Sequence, residues 1–367
     1  MRLAAVLVTG LVALSCSPTS ATQPRTAASA PRVGSISPAT AMASATSISA
    51  SASQAYGLLI ASGHLQLVAP DASIAASVQI ADAPLEPQAC GNGMGAWTLP
   101  GVSASNDHVY FRDGATRIRM VVPPATAVDV TTVPGGPTVI TGFSVSPDDR
   151  RIAVSVERFS ASAISDTLYV EDLRGHAHHA DIYTATTAAG KITTMLWPMG
   201  WHGGELVLAV WVACTYESVE YPNTWHVAEA RSAVRRASIG GANCVPDARP
   251  SPAGVACFEI QSPGAVRVYD WTGKLKTSLV TDVGATELSP SGRFLAVGSS
   301  NLGGSEPTTT MLAVDGSGVV TNPGHQACLW IDDSHLLAFD AVIDYPAGKA
   351  VSLPAGGRCA GRFPGGL

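Results

Sequence analysis

An all-β fold follows from three features of the chain. From Tyr56 to Leu367, apolar runs of about four to seven residues alternate with Gly, Pro, Asp and Asn, and amphipathic helical periodicity is nearly absent. One pattern, a tight turn followed by an apolar strand, recurs along this stretch. Its copies lie roughly 40 to 55 residues apart, the length of one four-stranded propeller blade. The expected architecture is therefore a β-propeller over residues 54–367, with seven blades and with six as the alternative. A pair of β-sandwiches is the rival fold, and it explains a single repeat period poorly.

The repeat is clearest where Ser146-Pro147-Asp148-Asp149-Arg150-Arg151-Ile152-Ala153-Val154 matches Ser289-Pro290-Ser291-Gly292-Arg293-Phe294-Leu295-Ala296-Val297. Pro presets the first turn residue, and Asp or Gly suits those after it. Weaker copies begin at Asn106-Asp107, Gly203-Gly204, Pro252-Ala253-Gly254 and Asp332-Asp333. Ser62-Gly63-His64-Leu65 reads as a degenerate first copy, displaced within its blade. Outer strands are expected at Leu168–Asp172, Val266–Trp271 and Met311–Asp315, each running into a Gly-containing turn. With this signature the chain resembles the bacterial WD40-like propellers of the kind found in TolB and in many extracytoplasmic lipoproteins. The Trp-Asp and Gly-His dipeptides of eukaryotic WD40 repeats are not kept.

The N-terminus reads as an export signal over residues 1–15. Arg2 is followed by an apolar run, Leu3 to Leu14, of about 12 residues, and a membrane-spanning helix needs about 20. Ala13-Leu14-Ser15-Cys16 resembles the lipobox of bacterial lipoproteins, although Ala13 stands where Leu is usual. The resemblance implies that Cys16 carries a diacylglycerol and anchors the mature protein to the outer face of the cell membrane. The other reading is cleavage further along, near Ala21. Residues 16–53 are rich in Ser, Thr, Ala and Pro, cannot bury enough apolar surface to offset chain entropy, and read as a tether.

Six cysteines remain beyond Cys16, an even number that suits disulfides outside the cytoplasm. Cys244 and Cys257 could close a local loop, Cys328 and Cys359 bracket the last blade, and Cys90 and Cys214 are left over. Some of the six could instead be free thiols buried in strands. The net charge is −6 with only 22 Lys and Arg and no basic run, so nucleic-acid binding has no electrostatic footprint.

Spacing separates true catalytic and metal motifs from chance clusters. His176, His178, His179 and Asp181 cluster in the run Arg174–Asp181, but follow a strand into a turn and read as solvated. Gly142-Phe143-Ser144-Val145-Ser146 and Gly101-Val102-Ser103-Ala104-Ser105 begin like nucleophile elbows without the closing Gly. The pairs Asp148-Asp149 and Asp332-Asp333 fall on repeat turns, where Asp is favoured for geometry. No motif calls for a cofactor or a metal. An insertion between Cys214 and Trp225 offers Tyr216, Tyr221 and Trp225 as a candidate interaction loop. The expected role is a non-catalytic binding or scaffold domain of the cell envelope. The alternative is a propeller-type lyase, glycosidase or lactonase, which needs Asp, Glu or His converging at the channel mouth.

Overall fold

The computed structural model describes residues 54–367 except 84–89, 91–94, 97, 123–125, 192–193, 213, 216–223, 241–249, 260–263, 282–283, 300–305 and 366. Among the described residues the regular structure is strand, and no helix is long and apolar enough to cross a membrane. Six four-stranded antiparallel sheets and one three-stranded sheet form the seven blades of a β-propeller. A two-stranded pairing of Gly95–Ala96 with Cys214–Thr215 is added to them.

Blade 1 joins the two ends of the domain. Its strands, from the channel outward, are Arg358–Phe363, Tyr56–Ala61, His64–Val68 and Ile74–Gln79. Every other blade is formed from strands in chain order, with Cys214–Thr215 intervening between the second and third strands of blade 4. In blade 3 these are Val139–Val145, Arg151–Phe159, Ala163–Asp172 and Ala180–Ala188. In blade 4 they are Thr194–His202, Glu205–Val212, Thr224–Ala228 and Arg235–Gly240. The closure explains the degenerate first repeat. The repeated turn joins the innermost strand to the second, and in blade 1 those two strands come from opposite ends of the domain. Ser62-Gly63 instead joins the second strand to the third.

The serine of the repeat is the capping group of that turn. Ser146 Oγ donates to Asp148 Oδ1 at 2.6 Å and accepts the Arg151 amide at 2.9 Å. In blade 6 Ser289 Oγ accepts the Phe294 amide at 3.2 Å. Ser105, Ser146, Ser251 and Ser289 are all buried at these junctions. Asp149 and Gly292 follow at the same point with φ of 59° and 72°, which is why Asp or Gly stands there.

Seven hydrophobic clusters fill the seven interfaces between blades. Tyr110, Ile118 and Met120 of blade 2 meet Phe143, Ile152 and Val154 of blade 3. The largest brings Trp197, Trp211 and Trp225 of blade 4 against Val255 and Trp271 of blade 5, with Ile140 and Phe159 from blade 3. A blade has neighbours on both faces, so inner strands are covered on both sides: Ile152 to Val156 is buried at every position. The outermost strand of the same blade, Ala180–Ala188, is largely exposed.

Packing is close where blades 3 and 4 approach. A Cβ built on Gly142 would lie 2.5 Å from Cε2 of Trp197. Trp197 is itself buried, so neither group can give way cheaply. Gly142→Ala is expected to cost about 1–3 kcal/mol, the usual range for overpacking a core. A denaturant titration checks this, and an unchanged midpoint would show that the indole moves freely.

Two disulfides are described. Cys90 joins Cys214 with Cα atoms 5.5 Å apart, and Cys328 joins Cys359 at 6.2 Å. Both bonds match pairings considered from the sequence. Cys257 is also disulfide-bonded, while Cys244, the partner expected for it, lies outside the described residues.

Candidate functional site

The innermost strands surround a narrow central channel. One cavity of about 90 Å³ is lined by Leu58, Val102, Ser103, Ser144, Trp197 and Arg362, among others. A second, of about 30 Å³, is lined by Ser251, Glu287, Leu288, Trp330 and Arg362. The two share Pro250, Gly361 and Arg362 in their walls. Among the described residues the walls carry one carboxylate, Glu287, and one guanidinium, Arg362.

Main chain and apolar side chains narrow the channel. Past the innermost strand of blade 1, the Gly365 amide donates to the Ser105 carbonyl of blade 2 at 2.7 Å. The Leu367 amide then donates to the Trp201 carbonyl of blade 4 at 2.8 Å. The Leu367 side chain sits against Gly200, where a Cβ would come within 2.5 Å of its Cδ1. Leu99 and Pro100, from the connection between blades 1 and 2, also line the cavity. The Thr98 carbonyl accepts from Arg358 Nη2 at 3.1 Å.

The paired carboxylates on the repeat turns are tied into contacts between blades. Asp149 accepts from His108 Nδ1 at 2.6 Å and from the Tyr110 hydroxyl at 2.9 Å, which joins blade 3 to blade 2. Burial, then the Asp149 hydrogen bond, pushes the Tyr110 phenol well above its ordinary pKa. Asp333 accepts the Ser291 amide at 3.0 Å and Arg293 Nη2 at 2.9 Å, which joins blade 7 to blade 6.

The histidine run occupies the turn between the third and outer strands of blade 3. Glu171, nearly buried, accepts from His176 Nδ1 at 2.6 Å and from His179 Nδ1 at 2.8 Å. His179 Nε2 lies 3.2 Å from Asp181, and His178 Nδ1 lies 2.8 Å from Asp172. Hydrogen bonding to Glu171 raises the pKa of His179. Its contribution to stability is therefore complete below the free imidazole pKa and is lost as pH rises through the higher folded value. The imidazoles are each committed to a carboxylate, and among the described residues no group of three or more His, Cys, Asp or Glu could hold a metal ion. His178, Asp172, Arg151 and Arg231 border an open groove of about 530 Å³ between blades 3 and 4.

Of the candidate interaction loop, Tyr216 and Tyr221 lie outside the described residues. Trp225 is fully buried in the third strand of blade 4 and packs edge-on against Trp271. It belongs to the core. Ser103 and Ser144, from the two elbow-like stretches, lie on innermost strands and line the channel. Ser103 Oγ accepts the Val145 amide at 2.9 Å, linking blade 2 to blade 3. Arg362 carries no motif in the sequence. Its place in the channel depends on the closure of blade 1, which no local pattern announces.

No family model matches the chain, and no curated protein matches it. Solved structures do. TolB from Acinetobacter baumannii aligns at 11% identity and a TM-score of 0.41, over 74% of this chain and 64% of that one. BamB from Moraxella catarrhalis aligns at 12% identity and a TM-score of 0.36, over 85% and 84%. Hydrazine synthase from Kuenenia stuttgartiensis aligns at 14% identity and a TM-score of 0.40, over 68% and 78%. These likenesses concern fold, and the count of seven blades is read from the sheets of this chain itself.

Proposed function

We propose that this protein is an extracytoplasmic binding or scaffold propeller of the cell envelope. In this reading residues 1–15 are a signal, Cys16 carries a lipid, residues 16–53 tether the domain, and residues 54–367 present it outside the membrane. The observation that carries the binding role is the channel wall: apolar side chains and serines surround a narrow space with one carboxylate and one guanidinium among the described residues. A propeller of this kind holds a ligand or partner by shape and a few polar contacts. The disulfides support an oxidising compartment.

Each acyl chain would contribute about 0.8 kcal/mol per buried CH₂, so several chains give stable anchoring. Metabolic labelling with a fatty acid should mark the protein, and Cys16→Ser should abolish the label and release the domain from the membrane. A Cys16→Ser protein that stays membrane-bound overturns the anchor. Co-purification from detergent-solubilised membranes tests the scaffold role: a stoichiometric partner supports it. Turnover of a glycan or lactone substrate by the purified domain would sink it in favour of the enzyme.

A further inference from the structure

The chain beyond the innermost strand of blade 1 lies across one end of the channel. Ser105 and Trp201 both stand where an innermost strand turns into the second strand of its blade, so their carbonyls mark the same end. The Gly365 amide donates to the first, in blade 2, and the Leu367 amide to the second, in blade 4. Ser144 and Val145 of blade 3 line the cavity that Leu367 also lines. The segment therefore spans the mouth from blade 2 to blade 4.

The fit is cut on both sides. At Gly200 a Cβ would lie 2.5 Å from Leu367 Cδ1 and 2.8 Å from its Cγ. At Gly365 a Cβ would lie 2.0 Å from the Ala104 carbonyl oxygen. The missing side chain of Gly200 leaves the slot that seats the leucine, and Leu99, Trp197 and Met199 wall the same cavity. The hold is slight beside that of the ring. Gly365 and Leu367 each give one main-chain hydrogen bond to another blade, and the leucine is half-buried. The strand before them pairs with Tyr56–Ala61 at five positions. An element held so lightly opens at a fraction of the cost of global unfolding.

An extended chain that gives its amides to carbonyls at strand ends and one apolar side chain to a slot uses the same means by which sheets recognise peptides. We propose that the channel mouth is a docking site for an extended, leucine-bearing peptide of a partner protein, and that residues 364–367 occupy it in cis as a strap. A tethered strap competes at an effective concentration on the order of 1 mM. The site is therefore shut to a weak peptide and opens to one that binds more tightly. The proposal deepens the binding role above and rests on it. Its test reads the channel mouth alone, so its failure leaves the membrane and co-purification experiments standing.

The probe is acetyl-Pro-Gly-Gly-Leu-amide, with acetyl-Pro-Gly-Gly-Ala-amide as its control, followed by saturation-transfer NMR with the disulfides intact. A chain ended after Phe363 should bind the leucine peptide saturably, about tenfold more tightly than the full chain does, and should prefer it to the alanine peptide by about tenfold. Leu367→Asp in the full chain sets a charge against Gly200 and should bind the peptide as the shortened chain does. Equal binding of the two peptides by the shortened chain overturns the slot. Either variant, if it folds and binds the leucine peptide no more tightly than the full chain, overturns the strap. Loss of the folded ring in both variants overturns it too, since a strap must come away without unfolding the domain. A full chain that dimerises with rising concentration, beside a shortened chain that does not, gives the slot to a second copy and overturns the partner peptide.

Discussion

Replacing both Cys90 and Cys214 with Ala should lower the melting temperature by roughly 6–8 °C. The bond closes a loop with a sequence separation of 124 residues. In the chain-entropy account such a loop is worth about 4–5 kcal/mol, through restriction of the unfolded chain. It ties the connection between blades 1 and 2 to the chain that follows the second strand of blade 4. Both cysteines are buried in the tryptophan-rich cluster beside Trp211 and Trp225. The Cys328–Cys359 bond closes a separation of 31 residues, so Cys328→Ala/Cys359→Ala should cost less, about 3–4 kcal/mol. Thermal melts of the two double variants check the order. A reversed order would show that native contacts, and not the unfolded chain, set the difference.

Asp166→Asn should stabilise the domain above neutral pH and leave it nearly unchanged near pH 4. Asp166 lies on the third strand of blade 3, 3% exposed and directly opposite the buried Glu157 in the ladder. Its Oδ1 lies 3.5 Å from Ser155 Oγ, and its Oδ2 has no hydrogen-bond partner among the described residues. Desolvation raises its pKa from 3.8 to about 7, against weaker opposing hydrogen bonds from the Leu196 amide and Ser155. Between those two values the folded state holds more protons than the unfolded chain, so stability falls as pH rises and levels off above about 7. At about 1.4 kcal/mol per unit, the penalty reaches a few kcal/mol. The amide carries no charge and escapes it. Denaturant titrations of both proteins across pH 4–8 should diverge upward, and parallel curves would refute the assignment.

How much the sequence reveals depends on how local the cause is. The repeat turns are legible because one serine, one Pro and one Asp or Gly set them within a few residues. The displaced copy at Ser62-Gly63 is also legible, and blade 1 supplies its reason: the junction it should mark is not covalent. The inner strands read as continuous apolar runs because each is covered on two faces. Cys90 could be paired only as a remainder, since its partner lies across two blades. Trp225 illustrates the opposite failure. An aromatic beside an insertion suggests an exposed loop, yet ring geometry places it between blades 4 and 5. The residues that line the channel are not legible for the same physical reason: its wall draws on innermost strands far apart in sequence, and Arg362 arrives from the last of them.

The closure of blade 1 also fixes an order of events. Tyr56 pairs with Phe363, about 300 residues later. While the chain is being synthesised, Tyr56–Ala61 therefore waits with an open hydrogen-bonding edge until Arg358–Phe363 has emerged. A circular permutant that joins the ends beside this pairing and opens the chain within residues 133–138, between blades 2 and 3, would move the wait elsewhere. It should keep the same ring while shifting which strand is left open to aggregation, so the seam is a property of synthesis and the finished structure is indifferent to where it falls.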